Sequence, residues 1–136
     1  MSEPDRPAIA HLDVVREAFA GVGAADAARQ LTQYTDDMVL DLPFTDPPMR
    51  LVGKPRALSM LESAFEEYKM ELTITEVHEC ADPDELIVEF VSNGHLTSTG
   101  KTYANTYIAV FRFRDGRICY QREFFNPLVA ARALAP

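Results

Sequence analysis

The chain has 136 residues and carries 21 Asp and Glu against 13 Lys and Arg, a net charge of -8 at pH 7. A chain of this length forms one domain, predicted to span residues 1–136, and buries about two thirds of its surface on folding, so a core and a pocket can coexist. The acidic balance and the lack of clustered Lys and Arg disfavour a nucleic acid or an anionic membrane as partner. A neutral or cationic small molecule, or a protein, is more compatible with this charge.

The first seven residues contain no apolar segment of a secretion signal, and no run of 18 apolar residues occurs in the chain. These features predict a cytoplasmic protein without a membrane span and with a flexible N-terminus over residues 1–7. Cys80 and Cys119 lie far apart in strand-like segments, which predicts reduced thiols in the core. A disulfide between them is the alternative.

The first half of the chain predicts three helices and one strand. Apolar residues at helical spacing predict a helix over Ala8–Val22, a short second helix over Asp26–Tyr34 and a third over 54–68. Between the second and third helices, Met38–Phe44 predicts a short strand that a proline interrupts. Residues 45–53 are rich in turn-forming residues and predict a loop.

The second half predicts an antiparallel meander. Four segments alternate apolar and polar residues: 71–80, 86–97, 103–113 and 118–125. Asp115-Gly116 between the last two segments is a strong hairpin signal. Helices followed by consecutive strands indicate an α+β fold, with three N-terminal helices packed on a curved antiparallel sheet.

Both faces of the predicted central strands are apolar. In 86–91 and 107–111 the residues of either alternating face are largely hydrophobic. One face must meet the helices, and the same sheet of a second subunit would cover the other. The sequence therefore predicts a homodimer through the outer face of the sheet, with Lys101, Arg112 and Arg114 at its rim.

Several short motifs carry a family resemblance. They are Gly53-Lys54-Pro55 before the third helix, Thr99-Gly100-Lys101-x-Tyr103-x-Asn105-x-Tyr107, Phe111-Arg112-Phe113-x-Asp115-Gly116-Arg117-Ile118, Arg122-Glu123-Phe124-Phe125-Asn126-Pro127 and the tail Arg132-Ala133-Leu134. Together they resemble the SnoaL-like branch of the nuclear-transport-factor-2-like superfamily, and within it the phenazine-biosynthesis PhzA/PhzB proteins. The resemblance implies a cone-shaped half-barrel, a pocket between helices and sheet, and dimerisation through the sheet. It specifies no activity, because this superfamily includes isomerases, cyclases, dehydratases and non-catalytic modules.

The PhzA/PhzB resemblance implies roles for individual residues. Glu123 takes the place of the family's acid/base glutamate, Tyr103 that of a tyrosine lining the pocket, and Asn105 that of the asparagine after it. The family's pocket histidine on the third helix falls at about Met60, which cannot transfer protons. The phenazine-type condensation is therefore not implied for this chain.

Other branches of the superfamily match less well. The general-base aspartate of ketosteroid isomerases falls near Asp41 or Leu42, and their oxyanion-hole aspartate falls on Ala109. A neutral aspartic acid that donates a hydrogen bond is central to that mechanism, so steroid isomerisation of that type is not expected. The Asp-Arg-Asp set of the superfamily's epoxide hydrolases has no matching trio.

Glu123 is also the main chemical candidate on residue grounds. By simple alternation it shares a strand face with Cys119, Gln121 and Phe125. Such surroundings solvate a carboxylate poorly and raise its pKa toward the range useful for proton transfer. A structural glutamate paired with a neighbouring Arg or Tyr is the alternative.

A second carboxylate and several binding residues complete the candidate site. Asp41 lies beside Leu42-Pro43, where it either faces the cavity mouth as a catalytic group or caps the next turn. The substrate-binding candidates are Tyr103, Asn105, Tyr107, Gln121, Phe19, Phe44, Met60 and Phe65. For the polar members a structural hydrogen bond is the alternative role, and for the apolar members a place in the pocket wall or core.

No metal or cofactor is expected. His11, His78 and His95 have no metal-ligand spacing, and no phosphate-binding glycine loop or nucleophile elbow occurs. Two functions stay open. One is a cofactor-free isomerase, cyclase or dehydratase in which Glu123 moves a proton on an apolar or aromatic ring substrate. The other is a non-catalytic ligand-binding or dimerisation module that uses the same cavity.

Overall fold

The computed structural model describes residues 7–136. The predicted flexible segment 1–7 therefore lies outside the described residues except for Pro7, which begins the first helix. The helices are α1 (Pro7–Gly23), α2 (Ala27–Leu31), α3 (Lys54–Glu67) and α4 (Pro127–Leu134). The three predicted N-terminal helices are thus confirmed, and α4 is an addition.

Two helix ends differ from the prediction for local reasons. Asp26 caps α2 by accepting a hydrogen bond from Arg29 N, but the helix ends at Leu31, so the predicted extension to Tyr34 is wrong. Tyr34 instead opens the first strand and pairs with Ile118. Helix α4 begins where Asn126 Oδ1 accepts a hydrogen bond from Leu128 N at 3.0 Å, a cap of the kind that starts helices.

Seven strands form one curved, unclosed sheet. They are β1 (Tyr34–Leu42), β2 (Met49–Val52), β3 (Tyr68–Glu79), β4 (Glu85–Leu96), β5 (Thr102–Tyr103), β6 (Thr106–Arg114) and β7 (Arg117–Phe125). The order is β2-β1-β7-β6-β4-β3, with β5 paired to β4. The α+β class is confirmed. The pairs are antiparallel as predicted, except that β1 and β7 run parallel. Strand β2 lies within the segment predicted as a loop. The sequence did not indicate this strand, because four residues are too few to show an alternating pattern of apolar and polar residues.

The β6–β7 hairpin is confirmed, but its predicted first arm, 103–113, is interrupted: Tyr103 belongs to β5, which pairs with β4, and β6 begins at Thr106. The turn of the hairpin explains the Asp-Gly pair. Asp115 and Gly116 have φ angles of 53° and 77°, the left-handed values that the favoured two-residue hairpin turn requires.

A bulge beside that turn changes which residues of β7 face inward. Phe113 pairs with Ile118 and Arg112 with Tyr120, so Cys119 has no partner in the register. As a result Ile118 is buried and Cys119 is half-buried. The predicted grouping of Cys119 with Glu123 on one face is therefore wrong. Cys80 and Cys119 are both free, as predicted, but neither belongs to the core.

The core lies between the inner face of the sheet and the helices. On α3 the buried residues Ala57, Leu61 and Phe65 recur every four positions and form one stripe toward the sheet. Burying each large apolar side chain of this stripe contributes about 1.5–3 kcal/mol. The helix is thereby fixed over β1, β2 and β3, and the space that remains between α3 and the inner face of the sheet is a cavity.

Candidate functional site

One cavity of about 150 Å³ lies between α1, α3 and the inner face of the sheet. Its polar lining residues are Gln30, Tyr68, Tyr107, Gln121 and Glu123. The apolar wall comprises Phe19, Val22, Leu40, Leu42, Met60, Leu61, Ala64, Phe65, Met70, Leu72 and Phe90. An apolar cavity of about this size holds a single benzene ring, which sets the scale of the ligand.

Glu123 is the one carboxylate among these lining residues. It lies on β7 directly opposite Ala109 of β6, whose small side chain leaves room for the carboxylate. Gln121 Nε2 donates a hydrogen bond to Glu123 Oε1 at 3.0 Å. Burial raises the pKa of Glu123 from 4.5 to about 7, because desolvation of the carboxylate outweighs the hydrogen bond from Gln121. The group can therefore both accept and release a proton near neutral pH.

A chain of hydrogen bonds leads from Glu123 toward α2. The buried Tyr34 hydroxyl donates to Gln121 Oε1, and the Gln30 side chain hydrogen-bonds the Tyr34 hydroxyl. Burial, the largest effect, raises the pKa of Tyr34 above its ordinary value, so this hydroxyl keeps its proton. Sequence reasoning missed Gln30 and Tyr34. The only available signal was a glutamine within a short, otherwise apolar stripe.

A second polar cluster places Tyr107 in the pocket. Its ring stacks on Phe90 with centroids 4.7 Å apart. Its hydroxyl oxygen lies 2.9 Å from Ser92 Oγ and 3.2 Å from Tyr103 Oη. Asn105 Nδ2 in turn donates to Tyr103 Oη at 2.8 Å. Burial raises the pKa of Tyr107 above its ordinary value.

The other two residues of the predicted Tyr-x-Asn-x-Tyr element lie behind the pocket. Tyr103 is buried in a separate cluster with Leu96 and Ala133. Asn105 also donates to the Asn126 carbonyl at 3.0 Å and so ties β7 to the start of β6. Neither residue lines the cavity. Tyr103 and Asn105 therefore hold the Tyr107 hydroxyl in position from behind the cavity.

Asp41 lies on the opposite face of the sheet from Glu123. Its Oδ2 accepts a hydrogen bond from the Tyr120 hydroxyl at 3.0 Å and lies 3.5 Å from Arg50 Nη1 and 3.9 Å from Arg122 Nε. Because side chains alternate along β1, its neighbours face the cavity and Asp41 does not. Asp41 therefore has neither of the two predicted roles: it does not face the cavity, and it does not cap a turn.

Phe44 also lies outside the pocket. It is 52% exposed and packs edge to face on Phe124, with ring centroids 5.2 Å apart. The predicted wall residues that do meet in the cavity are Phe19, Met60 and Phe65, together with Tyr107, Gln121 and Glu123.

Within residues 7–136, no three His, Cys, Asp or Glu side chains are grouped closely enough to hold a metal ion. His11, the buried histidine, stacks on Phe113 at 4.0 Å and contacts Asp84 Oδ1 at 3.0 Å. None of the described helices has the length and apolar character needed to cross a membrane.

Comparison with known proteins assigns the family. The SnoaL-like domain family matches residues 15–121, most of the chain, so this chain belongs to the SnoaL-like family. An uncharacterized PhzA/B-like protein of Pseudomonas aeruginosa is 36% identical over 111 residues, which cover 80% of this chain and 79% of that protein.

Solved structures agree with this assignment. A candidate isomerase of Bacillus subtilis has a TM-score of 0.86 at 28% identity, covering 91% of each chain. An NTF2-like protein of Burkholderia pseudomallei has a TM-score of 0.81 at 17% identity, covering 93% of this chain and 98% of that one. The second likeness shows the fold alone. The predicted family and fold are thereby confirmed.

Proposed function

We propose that this chain binds a small, largely apolar single-ring molecule and uses Glu123 to move a proton on it, in a cofactor-free reaction of the isomerase, cyclase or dehydratase type. The observation that carries the proposal is the position of Glu123, the one carboxylate among the lining residues of a largely apolar cavity of ring size, where burial raises its pKa to about 7. A catalytic base is most effective when its pKa lies near the working pH. The candidate isomerase of Bacillus subtilis, at 28% identity, is consistent with this class of reaction.

The proton would move between a ligand carbon and Glu123. Ionised Glu123 takes a proton from a carbon next to a carbonyl, and the electron pair of the broken C–H bond moves into an enolate. When the ring is a β,γ-unsaturated ketone, returning the proton to the γ-carbon moves the double bond and isomerises the ligand. When the β-carbon carries a hydroxyl instead, the enolate expels it as its C–O bond breaks, and the proton on Glu123 goes to the departing hydroxide, which leaves as water. The hydrogen bond from Gln121 holds the carboxylate in one orientation throughout.

Tyr107 is the proposed donor to the enolate oxygen. The hydroxyls of Ser92 and Tyr103 lie within hydrogen-bond distance of its oxygen, and each has a proton to donate. When they donate to Tyr107, its own proton is free for a ligand oxygen. This arrangement would take the role of the oxyanion-hole aspartic acid of ketosteroid isomerases, whose position Ala109 occupies in this chain. It gives Tyr103 and Asn105 positioning roles.

The test is deuterium exchange on small cyclic ketones. The protein is incubated in D2O near neutral pH with cyclohexanone and cyclohex-3-en-1-one, and loss of the α-proton signals is followed by NMR. The Glu123→Gln variant should lose at least about 100-fold of any protein-catalysed exchange, since general-base catalysis contributes that much or more. The matched control Asp41→Asn should exchange at the wild-type rate. Binding of either ring without exchange would indicate the non-catalytic binding module instead.

We also propose a homodimer through the outer face of the sheet. Half-buried or exposed apolar side chains cover this face on adjacent strands, among them Ile87, Ile108, Val110 and Phe124. Light scattering after gel filtration should give twice the chain mass for the wild type and a monomer for Ile108→Glu. Leu128→Glu, a change of an exposed apolar residue on α4, should remain dimeric, and a monomeric wild type would contradict the proposal. The cytoplasmic location and the lack of a nucleic-acid partner stay predictions from the sequence.

A further inference from the structure

The side chain of Gln30 leaves one polar atom unmatched in the pocket. Gln30 is only 7% exposed and lines the cavity. Its Oε1 is buried and has no hydrogen-bond partner. Among the described residues, His11 Nδ1 is the one other buried side-chain atom in this condition, and His11 does not line the cavity. A buried carbonyl without a hydrogen-bond partner destabilises the folded state, so native structures seldom keep one without a reason.

The orientation of the Gln30 amide follows from the hydrogen-bond chain. Ionised Glu123 can only accept, so Gln121 must present its NH2 to Glu123 and its carbonyl to Tyr34. The single Tyr34 proton is then used on Gln121. The Tyr34 oxygen can only accept from Gln30, which commits the Gln30 NH2 to Tyr34 and turns Oε1 away from it. The carboxylate thus fixes an acceptor, not a donor, at the far end of the chain.

Of the other polar groups that line the cavity, Glu123 and Tyr107 act on the reacting carbon and its oxygen in the function proposed above, and Tyr68 carries a hydroxyl that can itself donate. Both ends of the Gln121 amide are used, and the Tyr107 hydroxyl lies in a cluster with Ser92 and Tyr103. Gln30 Oε1 is therefore a buried acceptor without a protein partner, and it can accept a hydrogen bond from a ligand.

Backbone packing holds Gln30 in place. A Cβ on Gly21 would come within 2.6 Å of Gln30 N and 2.8 Å of its Cα. Only glycine lets α1 approach α2 this closely, so the position of Gln30 depends on Gly21. The acceptor thus lies on a rigid helix–helix contact, which favours recognition of one defined ligand atom.

We propose that Gln30 Oε1 is a specificity-determining acceptor that selects ring ligands with a hydroxyl or N–H group able to donate to it. The proposal rests on the ring-binding function proposed above and deepens it. It predicts that the natural ligand has a donor group at one end, received by Gln30, and the reacting carbon at the end near Glu123. A ring without a donor, or with only an acceptor there, leaves the Gln30 carbonyl unpaired and binds more weakly.

The experiment compares three rings of similar size at pH 8, where Glu123 is largely ionised. The probes are phenol, which donates; pyridine, which only accepts; and toluene, which does neither. Dissociation constants are measured by NMR titration, followed at the Leu40 and Ala64 methyl groups of the cavity wall. The readout is the phenol-to-toluene preference, defined as the dissociation constant of toluene divided by that of phenol. Each variant's preference is compared with that of the wild type, so the difference in hydration free energy between the two probes cancels.

Replacing Gln30 by Met keeps the length of the side chain and removes the acceptor. The phenol-to-toluene preference should fall by about tenfold in Gln30→Met, the effect of one hydrogen bond to a buried carbonyl. The matched control is Gln33→Met, the same change at a residue outside the cavity lining, and it should keep the wild-type preference. Tyr34→Phe is a second variant: it frees the Gln30 amide to rotate, so pyridine binding should strengthen relative to toluene.

The outcomes separate the two proposals. An unchanged phenol-to-toluene preference in a folded Gln30→Met protein that still binds both rings would overturn the acceptor role and leave the ring-binding pocket standing. If Gln30→Met does not fold, an unchanged pyridine-to-toluene preference in Tyr34→Phe overturns the acceptor role in the same way. No binding of any of the three rings to the wild type would overturn both proposals together.

Discussion

Two carboxylates on neighbouring strands of one sheet have opposite surroundings. Glu123 of β7 faces the apolar cavity and receives a hydrogen bond from one amide. Asp41 of β1 faces outward, within reach of two arginines and a tyrosine. In the register Asp41 pairs with Arg122, the residue just before Glu123. A shift of one position along a strand therefore separates a poorly solvated carboxylate from one that is paired with cations.

The difference shows how the fold assigns chemistry. Side chains of a strand alternate between faces, so the helices that cover one face decide which carboxylate loses its water. The outer carboxylate is partly exposed and lies beside two arginines. The inner one has none, and the free energy lost by burying it takes the form of a raised pKa.

The largest expected effect on stability comes from adding a carboxylate to the inner face of the sheet, compared with adding one to the outer face. Ala109→Asp places an acid directly opposite Glu123 in a fully buried site, and an unpaired buried charge beside a like charge should cost about 4 kcal/mol or more at pH 8. Val110→Asp, the next residue, lies on the outer face opposite Arg122 and should cost much less. Urea denaturation of both variants measures the contrast, and equal losses would show that the two faces do not differ as described.

The next effect is the pH dependence of stability. The pKa of Glu123 is about 7 in the folded protein against 4.5 without burial, so the folded state binds the proton more tightly than the unfolded state. Its contribution is complete below pH 4.5 and is lost as the pH rises through 7, by about 3 kcal/mol in total. Glu123→Gln should match wild type near pH 4.5 and exceed its free energy of unfolding by up to about 3 kcal/mol at pH 8. For the control Glu62→Gln, on the exposed side of α3, the plot of unfolding free energy against pH should run parallel to that of the wild type. A parallel plot for Glu123→Gln as well would contradict the account.

The smallest effect is expected on the outer face. Asp41→Asn removes a partly exposed carboxylate from two arginines and should cost about 0.5–1 kcal/mol, less at high salt because exposed charges are screened. Thermal unfolding at low and at 0.5 M salt measures it. A loss of several kcal/mol, independent of salt, would place Asp41 in a buried network instead.

Much of the architecture follows from local sequence patterns. The periods of α1 and α3, the alternation of β3, β4, β6 and β7, and the Asp115-Gly116 turn all predict elements that the structure contains. These signals are local, so a single sequence carries them. Helix α4 and strand β2 were missed because each is short and depends on tertiary contacts.

The site was predictable in part. Glu123 and Gln121 were reached by counting along β7, since both lie beyond the bulge, whereas Cys119 lies at the bulge and was placed on the wrong face. Asp41 and Phe44 do not line the cavity. The position of Asp41 beside Pro43 gives no information about which face of the sheet the helices cover, and the apolar character of Phe44 does not specify where its ring packs. Gln30 and Tyr34 could not be found, because their role depends on the parallel pairing of β1 with β7 and on the contact at Gly21. Such long-range pairings leave no local pattern.

The central claim is that Glu123 is a poorly solvated carboxylate in the pocket, and its own titration tests this most directly. The side-chain carboxyl carbon of Glu123 can be followed by ¹³C NMR from pH 3 to 9, with Glu123→Gln to assign the signal. The structure predicts a midpoint of about 7. A midpoint near 4.5, the value of an unburied glutamate, would contradict the account.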